Sequence, residues 1–236
     1  MPMPEEMGFF ARHIERRRLR LIAGLLPGHF SGVFSGKDTA HVLDAGCGSG
    51  WLSEMLSDRG FTVCCFDLGF DSIKRASGRL KKTGRAIDFV CGDVYRLPFD
   101  DGSYDAVTAS EIIEHLERPS DAISEFARVV KPGSSIVLSM PYRERIPQSL
   151  CIHCNKKTPV NAHLHSFDEN IIETMLNECG FDVQKIVRFV SRPMERLGMA
   201  GLTSFLPHYV WRVLDKAACG ILGRQSFMAV RAVRRD

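Results

Sequence analysis

Val42-Leu43-Asp44-Ala45-Gly46-Cys47-Gly48-Ser49-Gly50 is the stretch from which the rest of the chain can be read. An apolar run too short for a helix ends in three glycines at alternate positions, and a helical pattern follows from Trp51 to Asp58. A strand, a glycine turn and a helix in that order let a ligand approach backbone N–H groups closely. The spacing Gly46-x-Gly48-x-Gly50 differs from the G-x-G-x-x-G of dinucleotide-binding folds. Asp44, just ahead of the loop, would repel a pyrophosphate and attract a cationic ligand.

Outward from this loop, Phe61 to Phe66 reads as a second strand, followed by a helix near 71–82 and strands over Ile87–Cys91 and Tyr104–Ala109. A helix near 119–130 and a strand over Ser135–Met140 keep the alternation. Beyond Pro141 the rhythm breaks. A Cys/His-containing segment, 142–165, precedes a helix at 168–179, with Ser166 as the expected N-cap and Glu169 completing a capping box. Strand Phe181–Val190, a late helix marked by Leu206, Val210, Val213, Leu214, Ala217 and Ile221, and a closing strand Phe227–Val233 complete the chain. Upstream, Met7, Phe10, Ile14, Leu21 and Leu25 give residues 5–26 a helical apolar stripe. The expected fold class is α/β: a doubly wound, mostly parallel seven-stranded sheet with helices on both faces.

Composition narrows the function classes. Of the 236 residues, 44% are apolar and 25% charged, which excludes a disordered or collagen-like chain. The formal charge of +3 is too mild to imply nucleic acid, and the sequence has no Asn-Pro-Pro-Tyr-type motif for a flipped base. No apolar run is long enough to span a membrane, and the acidic start (Glu5, Glu6) is unlike a signal peptide. Eight scattered cysteines read as reduced thiols, so a cytoplasmic location is expected. The run Arg16-Arg17-Arg18-Leu19-Arg20 reads as a solvated helix face, with one of these arginines or Arg12 able to turn toward a ligand.

Two further acids follow the first. Asp67 closes the second strand, where a carboxylate can take both hydroxyls of a ribose. Asp93, in Cys91-Gly92-Asp93-Val94, follows the third strand and can accept from an adenine amino group. With Leu97-Pro98-Phe99, Phe99-Asp100-Asp101-Gly102-Ser103-Tyr104-Asp105, Glu111-Ile112-Ile113-Glu114-His115-Leu116 and Arg128-Val129-Val130-Lys131-Pro132-Gly133, these motifs resemble the class I S-adenosylmethionine-dependent methyltransferases, type 11-like. The resemblance is close over 40–140 and loose after it.

That resemblance implies S-adenosylmethionine as cofactor, held by Asp44, Gly46, Cys47, Gly48, Gly50, Asp67, Leu68, Asp93, Val94, Ser110 and Glu111. It implies methyl transfer to an O, N, S or C nucleophile of a small-molecule acceptor by in-line displacement. The chain then reads as one domain, 1–236: a cap helix over 1–28, a cofactor-binding core over 40–140, and insertions at 142–165 and 191–222 that roof the acceptor pocket. His115, after the fourth strand, is the candidate general base. Phe205, Leu206, Tyr209 and Trp211 fit an apolar acceptor as well as they fit core packing. Cys151-x-x-Cys154 with His163-x-His165 has the donor types for a structural zinc. Two other classes stay open: a nicotinamide-dependent oxidoreductase, which the glycine spacing and Asp44 oppose, and a metal-binding regulatory or partner-binding module. Oligomeric state is not legible.

Overall fold

A computed structural model describes residues 9–27, 39–191, 206–222 and 225–236. Seven strands form one sheet: β1 (His41–Ala45), β2 (Thr62–Asp67), β3 (Ile87–Cys91), β4 (Tyr104–Ser110), β5 (Val130–Pro141), β8 (Phe181–Ser191) and β9 (Gln225–Arg234). Their order is β3-β2-β1-β4-β5-β9-β8. The first five pair in parallel, and β9 runs antiparallel to both its neighbours. A separate hairpin, β6 (Gln148–Leu150) with β7 (Lys157–Pro159), lies in the segment after β5. The helices are α1 (Phe9–Leu25), α2 (Trp51–Ser57), α3 (Phe70–Leu80), α4 (Pro119–Val129), α5 (Glu169–Glu178) and α6 (His208–Leu222).

Alternation along the strands builds two cores. Leu43, Phe66, Val107, Ile136 and Leu138 face one side, where they meet Ile123 and Phe126 of α4 and Ile172 and Leu176 of α5. Their neighbours Val42, Val63, Ala106 and Val137 face the other, against Ile22 of α1, Leu56 of α2 and Trp211 of α6. Full burial of a side chain such as Ile22 stabilises the fold by roughly 1.5–3 kcal/mol. This is the doubly wound arrangement that the apolar runs predict. The chain steps outward from β1 to β3 and returns to β4 on the other side of β1. The crevice at the carboxyl ends of β1 and β4 is therefore a topological switch point, where such sheets bind ligands.

Three local readings change. α5 is capped by Asp168, whose Oδ1 accepts from Ile171 N at 3.1 Å, and not by Ser166. The bridge between Tyr142 and Phe167, with Phe167 buried, holds the chain extended until one residue before the cap. Glu169 pairs with the Tyr142 hydroxyl and with Arg188 instead of closing a capping box. The arginine run of α1 is not wholly solvated: Arg16 and Arg20 are exposed, while Arg17 and Arg18 are buried. The late helix does not carry its aromatics to the site; Trp211 packs in the core under Arg17, and Tyr209 is exposed. Phe205, residues 5–8 of the expected first helix and 192–205 of the second insertion lie outside the described residues.

Candidate active site

The loop between β1 and α2 folds back on the end of β2. Phe66 O accepts from Gly46 N at 2.8 Å and from Cys47 N at 3.0 Å, so the loop cannot lift off the sheet. Gly46 adopts φ 71°, and a Cβ there would stand 2.6 Å from Ile112 Cδ1. At Gly48, φ is 53° and nothing lies within 4 Å of the Cβ direction: the backbone is bare toward the crevice. Asp67 is fixed by the same turn, its Oδ2 accepting from Gly48 N at 2.9 Å and its Oδ1 from Gly69 N at 2.8 Å. Each oxygen uses one lone pair on the backbone and keeps another for a ligand.

These groups line a cavity of about 520 Å³ whose wall also carries Asp44, Leu68, Asp93, Val94, Ser110, Glu111 and His115. Gly50 stands behind the wall; its φ of 76° turns the chain into α2, and a Cβ there would meet Leu80 Cδ1 at 2.8 Å. Asp44 is 2% exposed and accepts from Ser53 Oγ at 2.5 Å and Thr108 Oγ1 at 3.1 Å. Burial pushes its carboxyl up to about 6, with those two hydrogen bonds opposing the shift. Asp93 Oδ1 accepts from Tyr95 N at 3.0 Å. Contact with Cys65 and burial push the Cys47 thiol above its usual range, and Cys47 lines the cavity wall.

α1 closes one side through Glu15, Arg18 and Leu19. Arg18 meets both oxygens of Glu15, at 2.9 and 2.5 Å, reaches Glu111 Oε1 at 2.9 Å and donates to Ser110 Oγ at 3.3 Å. Burial alone would lower its pKa; Glu111 and Glu15 more than offset that and hold it charged. The pairing ties the first described helix to the carboxyl end of β4.

Beyond Glu111 the chain makes a tight turn, Ile113–His115. Glu114 is fully buried, and neither of its carboxylate oxygens has a hydrogen-bond partner among the described residues. Burial, then the neighbouring Glu111, push its pKa up to about 9. His115 lies edge-on to His163 with ring centroids 4.7 Å apart, and its Nδ1 is 3.2 Å from Ala162 O. His163 Nδ1 meets Glu144 Oε2 at 2.5 Å. Burial lowers the His115 pKa, the Ala162 carbonyl opposing it, so the neutral ring is favoured.

Residues 43–138 match the family model described as "Methyltransferase domain". The segment is 37% identical over 117 residues to a ubiquinone biosynthesis O-methyltransferase of Idiomarina loihiensis, covering 49% of this chain and 46% of that protein. It is 38% identical over 98 residues to a demethylmenaquinone methyltransferase of Renibacterium salmoninarum, covering 42% of this chain and 40% of that one. The matched part thus spans less than half the length of these relatives. An S-adenosylmethionine-dependent methyltransferase from Mesorhizobium loti superposes with a TM-score of 0.63 at 16% identity, over 92% of this chain and 98% of that one. Residues 43–138 thus carry the methyltransferase family's pattern, and the chain shares the fold of the solved methyltransferase.

In this chain, ten of the eleven residues assigned to the cofactor from sequence share one cavity wall, Gly50 being the exception. The structure does not bring Cys151, Cys154, His163 and His165 together as one group of ligating side chains among the described residues. Among the described residues the one group of three or more ligating side chains is Glu114, His115 and His163, with ligand atoms within 4.8 Å of one another. His163 is turned away by Glu144, and His165 is pinned through its backbone N–H to Glu114 O, with its Nε2 buried. Sequence reasoning did not single out Glu15, Arg18 or Glu114 as site residues. The one available signal was a carboxylate, Glu114, between apolar neighbours in Ile112-Ile113-Glu114-His115-Leu116. No described helix is long and apolar enough to cross a membrane.

Proposed function

We propose that the protein transfers a methyl group from S-adenosylmethionine to a nucleophilic atom of a small aromatic or quinol-type acceptor, with oxygen the first atom to test. The observation that carries the cofactor assignment is Asp67, clamped by two backbone N–H groups with a lone pair left on each oxygen, opposite a glycine whose backbone is bare. The residues fit the group. Asp67 takes the ribose hydroxyls, Asp93 and Val94 border the adenine, and the acids Asp44 and Glu111 suit a cationic sulfonium. When bound, S-adenosylmethionine supplies a methyl group already activated for transfer. The chain's part is alignment and exclusion of water. The nature of the acceptor is supported by the names of the two relatives, both methyltransferases of quinone-related compounds.

His115 is the residue assigned to take the acceptor's proton. With Nδ1–H donating to Ala162 O, Nε2 carries the free lone pair, and burial keeps the ring neutral and able to accept. The segment 142–165 borders the acceptor through His163, which sits against His115. Free thiols at all eight cysteines support the cytoplasm as its compartment.

Titration calorimetry tests the cofactor reading. Loss of a charge-assisted hydrogen-bond pair costs about 1.5–3 kcal/mol, so Asp67→Ala should weaken S-adenosylmethionine binding tenfold or more. Equal affinity in the two proteins removes Asp67 from the site. A screen of hydroxylated aromatics for S-adenosylhomocysteine release then tests the acceptor class. The unpartnered carboxylate of Glu114 favours a second reading, in which a divalent cation on Glu114, His115 and His163 ionises the acceptor hydroxyl in place of a base. Dialysis against chelator separates the two: the base reading keeps its activity, and the cation reading loses it until metal is restored.

A further inference from the structure

The cysteine pair left over from the site has a geometry of its own. β6 and β7 form an antiparallel hairpin whose register pairs Gln148 with Pro159 and Leu150 with Lys157. At its tip Cys151 N donates to Lys156 O at 2.9 Å, and Asn155 N donates to Cys151 O at 2.8 Å. Asn155 takes φ 54°, the left-handed turn that brings the chain back immediately after the second cysteine. The turn from Cys151 to Asn155 therefore holds both cysteines at the tip of one hairpin. Two cysteines three positions apart in one tight hairpin turn are what a metal knuckle presents to a tetrahedral ion.

A knuckle fills half of such a shell. Beyond the knuckle, the next histidines along the chain are committed elsewhere, His163 to Glu144 and His115, and His165 beneath Glu114, while the exposed His153 lies inside the knuckle between the two cysteines. The tip itself is open: Cys154 is exposed, Leu150 is 61% exposed and Ile152 is 92% exposed.

We propose that Cys151 and Cys154 bind zinc together with the same two cysteines of a second copy of this chain, forming a Cys₄ site on a two-fold axis. A two-fold interface uses one patch twice, so two half-shells of two thiolates complete each other. Each thiol gives up its proton on coordination, and four thiolates on Zn²⁺ leave a net charge of −2. Lys156 and Lys157, next to the knuckle in both copies, stand where that charge needs partners. Leu150 and Ile152 gain an apolar neighbour across the axis.

The test is metal content and mass in solution on full-length protein purified without a histidine tag. The expected result is one zinc for every two chains, a dimer by light scattering, and a monomer after chelation that re-forms on adding zinc. Cys151→Ser and Cys154→Ser should each abolish zinc binding and dimerisation while leaving the melting temperature of the sheet unchanged, since the hairpin lies outside it. Ile152→Ser, which spares every ligand, should raise the dimer dissociation constant about tenfold. One zinc per monomer overturns the proposal. So does zinc that survives both serine variants, a Cys151–Cys154 disulfide in place of metal, or a dimer indifferent to chelator.

Discussion

Asp44 and Glu114 are both carboxylates removed from water, with 2% and 0% exposure, yet their surroundings differ in kind. Asp44 sits in β1 with a hydroxyl on each oxygen, from Ser53 and Thr108, and its pKa stops at about 6. Glu114 sits in a turn after β4 with no partner on either oxygen among the described residues, and its pKa reaches about 9. At neutral pH the first carries a charge that can face a cationic ligand, and the second holds a proton. Burial is common to both; two hydroxyls hold Asp44 down, and the neighbouring Glu111 drives Glu114 further up. The glycine-loop side of the cavity is therefore finished in the free protein, whereas the β4 corner keeps an unsatisfied acid beside two histidines.

The contrast can be broken in three places. The largest effect is expected at Arg18, the cation between the two regions. Arg18→Ala strips the buried Glu111 of its ion pair and should cost about 3–5 kcal/mol in urea denaturation. Adding Glu111→Gln should recover much of that loss; no recovery would mean that the pair contributes packing and not charge.

Glu114 comes next, through pH. A carboxyl whose pKa rises on folding binds one more proton in the native state over the window from its unfolded value, roughly 4.3, up to about 9. Stability should fall as pH climbs through that window, by roughly 1.4 kcal/mol per unit, and level off above it. Glu114→Gln, which resembles the protonated acid, should flatten the curve in chelator-treated protein and be the more stable form at pH 8. Parallel curves for the two proteins would place the Glu114 proton elsewhere.

The smallest change is at Ser53. Ser53→Ala removes one of the two hydroxyls on Asp44 and should cost about 1–3 kcal/mol. It should also push the Asp44 carboxyl above its present value of about 6, so the acid limb of S-adenosylmethionine binding moves to higher pH. An unmoved limb would show that Asp44 is not the group sensed.

β1 to β5 and the glycine turn are legible in sequence because each depends on neighbours within a few residues: a short apolar run, a glycine that turns the chain, an acid at a strand end. The wall residues Asp67 and Asp93 follow, since a strand end fixes where its next side chain lies. The rest depends on partners far along the chain. Nothing near Arg18 distinguishes it from Arg16 or Arg20; Glu111, on the other side of the glycine loop, does. Ser166 and Asp168 are both good caps by type, and it is the buried Phe167 held by Tyr142 that moves the helix start. His163 looks like a partner for Cys154 by spacing, but Glu144 and His115 reach it first.

The place of β9 bears on how the molecule is made. It is the last described strand to leave the ribosome, yet it lies between β5 and β8 and not at the sheet's rim. Until residues 225–234 emerge, the nascent sheet has everything needed for the glycine loop and the cavity, but β5 presents a long unpaired edge of backbone N–H and C=O groups, and β8 has nothing to join. A chain stalled or clipped just before β9 would hold a nearly complete ligand site on a sheet ready to capture strands from other chains. The ten-residue β9 is thus the element that closes the edge of β5 and gives β8 its place in the sheet.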